Sequence, residues 1–376
     1  MFRLGFLDME TAGPQALLAV EPLPEQAPKS GRAQQARIAD VAARAGVGVA
    51  TVSRVLNGHA SVRPSTRERV AEAIEALNYR PSSLARGLSL RRTNVVATLL
   101  PWFTNPSAVQ RVKGIVEGLS GSTYDLMVFD IESEDRQRRA FELFDRGDRA
   151  DGLLVVSTLP PEAEVARLRA ADIPCVLIDA VHPSFPSIAV DDIAGGEIAT
   201  RHLISLGHRR VALIGDPPPE FRFEWSRDRT RGYERALASA GVEMRPEYVR
   251  EGTRLPHVAR AVAAELLSLP ERPTAIFAAS DTQAIGVLEA ARALGIAVPG
   301  ELSVIGFDDI EVASYVGLTT VRQPLLESGR RGATLLLERL AQGSVEPLRE
   351  LLPLELVVRT STGPAPSRQP ATSARA

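Results

Sequence analysis

The stretch from Ile38 to Leu88, IADVAARAGVGVATVSRVLNGHASVRPSTRERVAEAIEALNYRPSSLARGL, constrains this chain more than any other part of it. Ile38, Val41, Ala42 and Ala45 recur at helical spacing and give one apolar face. Gly46 then ends the helix, because a sharp turn needs a residue free to take the left-handed conformation. A second helix is expected from Val49 to Leu56, with Val52, Val55 and Leu56 inward. Ala50, Thr51, Ser53, Arg54 and Asn57 face outward. A third starts at Pro64, carries the stripe Val70, Ile74, Leu77, and stops at Tyr79-Arg80-Pro81. Two short helices joined by a glycine turn make a helix-turn-helix, whose second helix fits a DNA major groove.

Charge points the same way. Residues 35–93 hold ten arginines and four acids, a net of +6; the whole chain is −2, so the remainder is −8. A basic module on an acidic body is the asymmetry of a nucleic-acid binder. The bland alternative is a solvated three-helix bundle. It does not account for the turn glycine, the short groove-sized side chains and the local charge together.

These residues resemble the lactose-repressor family of bacterial transcription regulators. The motifs are Ile38-Ala39-Asp40-Val41-Ala42, Ala45-Gly46-Val47, Thr51-Val52-Ser53-Arg54-Val55-Leu56-Asn57, Leu77-Asn78-Tyr79, Pro81 and Ala85-Arg86. The resemblance implies that Val49, Ala50 and Arg54 face base edges, while Thr51, Ser53 and Asn57 hold phosphates. It implies that Ser82–Leu90 becomes a hinge helix on DNA, with Arg86 on the backbone and Leu88 wedged into the minor groove. The chain departs from the family at Gly48, where a serine cap is usual, and at Ser82, where asparagine is usual. Gly87 lowers hinge helicity by about 1 kcal/mol relative to alanine.

From Arg92 onward, short apolar strands alternate with helices. Candidate strands include Val95–Leu100, Gly152–Ser157, Cys175–Asp179, Arg210–Ile214 and Leu302–Phe307. Alternation of this kind means parallel sheets covered by helices on both faces. The strands are too many for one small sheet, so two doubly wound lobes are expected, with ligands at the carboxyl ends of their strands. The resemblance covers residues 38–362 and implies a periplasmic-binding-protein-like body. Landmarks are Val190-Asp191-Asp192, Ser303-Val304-Ile305-Gly306-Phe307-Asp308-Asp309 and Thr319-Thr320-Val321-Arg322-Gln323-Pro324. The expected division is a disordered arm or over-extended start at 1–35, a head at 36–81, a hinge at 82–92 and a body at 93–362. Lobe one takes 94–190 with 323–349, and lobe two takes 191–322 with 351–358. The tail from Gly363 has three prolines and no leucine, so disorder and assembly no higher than a homodimer are expected.

A polar solute in a cleft needs convergent hydrogen-bonding groups. Asp179, Arg229, Asp281 and Asp308 fall at strand ends or helix starts, and carboxylates beside an arginine suit vicinal hydroxyls. The resemblance places Asp179, Arg229, Ser280 and Asp308 in the effector pocket. Asp281 could instead cap its helix, and Arg229 with Asp308 could be a structural pair across the cleft. Trp102 and Phe103, beside Asn105, and the loop Phe221–Trp225 offer flat apolar faces on which a sugar ring docks, or else pack in the core. Ser280 replaces an asparagine common in sugar-responsive relatives, and Arg254 replaces an aromatic ring. The effector expected is a neutral mono- or disaccharide, with a nucleobase as the alternative.

The function this implies is a DNA-binding transcription regulator, a repressor, acting as a dimer on a pseudo-palindromic double-stranded operator in the cytoplasm. A transporter's solute-binding component would fit the body but not the head. A cleft enzyme would need a signature that is missing, since no Gly-x-Gly-x-x-Gly or phosphate-loop motif occurs and the five histidines lack metal-ligand spacing. Neither catalytic residues, nor a metal, nor a cofactor is implied. There is no apolar run of membrane-spanning length. The single cysteine, Cys175, sits in an apolar run and is expected in the core.

Overall fold

The structure is a computed structural model; it describes residues 36–56, 59–79, 92–144, 149–216, 224–343 and 348–366, with backbone alone at 224–226. Asn57, the hinge with Arg86 and Leu88, and most of the Phe221–Trp225 loop lie outside the described residues. The chain divides into two compact units at Ser82.

The first unit is three helices, α1 (Ile38–Ala45), α2 (Val49–Leu56) and α3 (Pro64–Ala76). Its core is Val41, Ala42, Ala45, Val52, Val70 and Ala73, flanked by Ile38, Val55, Leu56, Ile74, Leu77 and Tyr79. Asp40 caps α1 by accepting from the Arg37 N–H at 2.7 Å. Gly46 ends it at φ 61°, ψ 39°.

The second unit holds two six-stranded sheets. In the first, the strands are β1 (Val95–Leu100), β2 (Asp125–Asp130), β3 (Gly152–Val156), β4 (Cys175–Ile178), β5 (Ser187–Ala189) and β11 (Arg349–Leu351). Their spatial order is β2-β1-β3-β4-β5-β11, all parallel. The second holds β6 (Val211–Gly215), β7 (Val249–Glu251), β8 (Ala275–Ala278), β9 (Ser303–Asp308), β10 (Thr319–Arg322) and β12 (Glu355–Val357). Its order is β7-β6-β8-β9-β10-β12, with β12 antiparallel to β10. Each order reverses next to the first strand, between β1 and β3 in one lobe and between β6 and β8 in the other. Such reversals open a crevice at the strands' carboxyl ends.

Helices α4 (Pro106–Leu119), α5 (Glu134–Glu142), α6 (Glu162–Ala170) and α12 (Leu325–Gln342) cover the first sheet; α7 (Asp192–Ser205), α8 (Glu224–Ser239), α9 (Pro256–Leu267), α10 (Asp281–Ala293) and α11 (Glu311–Tyr315) belong with the second. Fully buried apolar strands such as β3 and β4 need cover on both faces, and each sheet has a core on either side. Cys175 is in one of these cores, and burial pushes its thiol up to about 12.

Two expectations need correction. The last strand of the second lobe was placed at Leu351–Val358, but residues 349–351 pair with β5 of the first sheet. The strand of the second lobe begins only at Glu355, after a third crossing. The tail was expected to be disordered from Gly363, yet the described residues 363–366 are strapped to the second lobe. The Gly363 N–H donates to Ser303 Oγ at 3.0 Å, and the Ala365 N–H to the Leu206 carbonyl at 2.8 Å. Backbone bonds of this kind hold a segment with little apolar surface of its own.

Candidate functional sites

In the first unit, α2 presents Val49, Ala50 and Arg54 to solvent, and Thr51 and Ser53 are half-buried beside them. Val49 is 46% exposed, an apolar side chain with no core to join. Small side chains around one arginine make a surface that a groove can approach closely. Arg37, Arg44, Arg63 and Arg69 are also exposed. Arg67 differs from these. It donates to the His59 carbonyl at 2.6 Å and the Val62 carbonyl at 3.2 Å, so it braces the loop between α2 and α3.

In the second unit, both lobes bring strand ends to one cleft. Trp102, Ser157, Asp179 and Asp308 follow or end β1, β3, β4 and β9, and all have positive φ (48°, 56°, 60° and 119°). Left-handed backbone at non-glycine residues costs energy and collects at functional sites. Asp179 accepts from Ser157 Oγ at 2.7 Å and pairs with Arg111 Nη2 at 2.9 Å. Arg111 Nη2 also donates to Gln323 Oε1 at 3.0 Å, and Gln323 Nε2 donates to Asp308 Oδ1 at 2.6 Å. Arg229 Nη1 lies 3.8 Å from Asp308, while its Nε donates to Asp192 at 2.8 Å and its Nη1 to the Ala279 carbonyl at 2.6 Å. The guanidinium rests 3.7 Å from the Phe307 ring centroid. One polar chain thus runs Ser157, Asp179, Arg111, Gln323, Asp308, Arg229, Asp192.

Burial governs the protonation of this chain. Asp192 is pushed up to about 7 by burial, against the pull of Arg229 and with the push of Asp179. Asp308 is also raised by burial, opposed by Arg229, Arg254 and Arg111. Asp281, raised well above the ordinary carboxylate range by burial and by Asp308, accepts from the Ile310 N–H and the Thr320 hydroxyl.

Of the residues expected in the pocket, Trp102, Asn105 and Asp179 line cavities. Arg229 and Asp308 are buried behind them, 1% and 4% exposed. Their pairing lies within the second lobe and not across the cleft. Ser280 is the N-cap of α10: its Oγ accepts from the Gln283 N–H at 3.3 Å and donates to Gln283 Oε1 at 2.9 Å. Asp281 is therefore not the cap. Phe103 is 45% exposed and lines none of the described cavities. Arg111, Asp192, Gln323 and Ser157 were missed. Arg111 had a signal, since it interrupts the buried stripe Ala108, Arg111, Ile115, Leu119 of α4. A charge on an apolar stripe demands a partner. Among the described residues, no group of His, Cys, Asp and Glu could hold a metal ion.

A helix-turn-helix unit and a two-lobed cleft body on one chain define a class, the DNA-binding regulators with a solute-binding-type body. Residues 37–82 match the model of the bacterial regulatory proteins, lacI family, and residues 200–362 that of the periplasmic binding protein-like domain. The catabolite control protein A of Priestia megaterium is 32% identical over 331 residues, covering 86% of this chain and 98% of that protein. The transcriptional repressor CytR of Escherichia coli is 30% identical, covering 88% and 97%. Among solved structures, the regulator CelR in complex with cellobiose is 33% identical, with a TM-score of 0.64 over 87% of this chain and all of that one. The lac repressor dimer bound to operator and the anti-inducer ONPF has 26% identity and a TM-score of 0.75, over 88% of this chain and all of that one. The chain belongs to the lacI family of bacterial regulatory proteins, DNA-binding transcriptional repressors.

Proposed function

We propose that this protein is an operator-binding repressor whose DNA affinity is set by a polyhydroxylated small molecule, a mono- or disaccharide, bound between the two lobes. The observation that carries the sugar reading is the cavity beside Asp179. It measures about 220 Å³, and Ser157, Thr158, Asp179, Asp192 and Asp228 supply its polar wall. Carboxylates accept from vicinal hydroxyls, and serine and threonine hydroxyls both give and accept. Trp102 lines the adjoining recess, which shares Ser157 with this cavity, and its flat face borders the space from there. CelR, a relative over most of its length, was solved with cellobiose, a sugar.

On the DNA side, Val49, Ala50 and Arg54 read base edges and Thr51 and Ser53 hold phosphates, with Asn57, Arg86 and Leu88 assigned by resemblance alone. One short reading helix per head calls for two half-sites, hence a two-fold dimer on a pseudo-palindrome in the cytoplasm. The protein performs no turnover in this reading.

The test is a gel shift on a palindromic operator, titrated with saccharides, hypoxanthine and cytosine, for wild type and Trp102→Ala. A saccharide should change operator affinity for wild type alone, and Trp102→Ala should keep the wild-type affinity without ligand. Equal binding to a single half-site would remove the dimer. A response confined to hypoxanthine or cytosine would replace the sugar by a nucleobase.

A further inference from the structure

The cleft has two ends of opposite chemistry. The 220 Å³ end is walled by three carboxylates, with Arg349 the lone basic group. The other end is a recess of about 20 Å³ walled by Trp102, Asn105, Ser107, Ser157, Arg111 and Arg254, together with Pro101 and Ala108. Two guanidiniums reach it, and among the described residues no carboxylate side chain lines it. Ser157 belongs to both walls, so the two ends adjoin.

Arg111 is 4% exposed. Its Nη2 is engaged by Asp179 and Gln323, but its Nε is buried with no hydrogen-bond partner among the described residues. A buried N–H without an acceptor is costly, and it marks where an acceptor is missing. Arg254 comes from the other lobe, on the loop after β7, with Nε 3.6 Å from Asp216 Oδ1. Counting Asp179 and Asp308 against Arg229 alone suggested a neutral effector. Arg111 and Arg254 change that balance at one end.

We propose that the effector is a hydroxylated ring bearing an anionic group, a carboxylate or a phosphate, and that this group sits between Arg111 and Arg254. This rests on the polyhydroxylated-effector reading above. The ring occupies the acid-walled end, where its hydroxyls donate to Asp179 and Asp228. The anion accepts from Arg111 Nε and from Arg254. Planar guanidinium forks match both carboxylate and phosphate oxygens. Because the two arginines belong to different lobes, the anion ties the lobes together, and Arg111 becomes the specificity-determining residue. The recess is far smaller than the 220 Å³ end, which suits a ring substituent and not the ring itself.

The experiment is calorimetric titration of the full chain with matched probes: glucose, glucuronate and glucose 6-phosphate, then galactose, galacturonate and galactose 6-phosphate. At least one anionic probe should bind at least tenfold tighter than its neutral parent. Arg254→Gln should erase that preference while leaving the neutral sugar within a few-fold. Tighter uronate binding assigns a carboxylate, and tighter phosphate binding assigns a phosphate. Arg111→Leu should erase the preference as well, and should also weaken the neutral sugar, because Asp179 loses its partner. Equal binding of neutral and charged partners, or a preference that survives in the variant, overturns the proposal and leaves the saccharide reading standing. Binding of hypoxanthine or cytosine alone overturns both.

Discussion

Arg111 and Arg229 occupy equivalent places in the two lobes. A Cβ built on Gly329 of α12 would lie 2.0 Å from the Arg111 carbonyl, and one on Gly196 of α7 would lie 2.2 Å from the Arg229 carbonyl. The reciprocal positions repeat: a Cβ on Gly114 would lie 1.9 Å from the Leu326 carbonyl, and one on Gly232 2.2 Å from the Ile193 carbonyl. Each arginine thus stands three residues before a glycine, on a helix whose backbone touches its partner's. Each then reaches an aspartate at a strand end, Asp179 or Asp308.

Gly329→Ala and Gly196→Ala should therefore both be damaging, because the clash is with backbone, which cannot rotate aside. Overpacking of this kind costs about 1–3 kcal/mol. Calorimetry should show a fall in Tm of several degrees for each. Gly300→Ala, whose Cβ would meet only Ala297 at an ordinary 3.7 Å, is the control and should melt with wild type. An unchanged Tm for Gly329→Ala would mean that α4 and α12 do not touch as described.

Gln323 is the link between the arginines' two networks, accepting from Arg111 and donating to Asp308. Gln323→Leu strands one buried donor and one buried acceptor, each worth about 1–3 kcal/mol when unsatisfied. A double-mutant cycle with Asp308→Asn should give a non-zero coupling, since the two groups are in contact. Additive losses of Tm would show that the bridge contributes nothing.

In the head, Arg54 and Arg67 should separate cleanly. Arg54 is exposed on α2, so Arg54→Ala should relax operator choice while the head keeps its melting behaviour. Arg67 braces two carbonyls, so Arg67→Ala should destabilise the head by about 1–3 kcal/mol and lower binding to every DNA alike. Circular dichroism melts with gel shifts on cognate and scrambled duplexes decide between them.

Stability should fall on mild acidification through His208. Its Nε2 donates toward the Gly363 carbonyl at 3.1 Å and lies 2.9 Å from Ser303 Oγ, while its Nδ1 lies 2.9 Å from Thr274 Oγ1. Burial holds its pKa below the ordinary 6.5, helped by nearby His202. A depressed folded pKa means the unfolded chain takes up the proton first. The stabilisation is therefore present above pH 6.5 and lost as pH falls through the folded value. Asp192 adds a trend of the same sign-logic but opposite direction. Its pKa is raised to about 7, so its contribution is full below about 3.8 and declines as pH rises through 7. Comparing wild type, His208→Gln and Asp192→Asn between pH 4.5 and 8 should remove the first slope in one variant and the second in the other. Identical pH profiles for all three would refute both assignments.

Local pattern determined much of this protein. The three head helices and the turn at Gly46 follow from a spacing of 3.6, and strands such as Val95–Leu100 from short continuous apolar runs, which neighbouring residues alone impose. Helices α5 and α6 were not legible, because EDRQRRAFE and EAEVARLRA carry so many charges that little apolar stripe remains. Neither was β5, only three residues long. The site was legible in part: Asp179 and Asp308 stand out as charges after apolar strands, and Arg229 as a charge before an expected helix. What only the tertiary structure decided is who meets whom. Arg111 finds Gln323 212 residues away, and Ser303 ties down the tail 60 residues on. A buried charge must have a partner, but its periodicity says nothing about which strand end will supply one; that depends on the crossings between the lobes and on the glycines that let their helices touch.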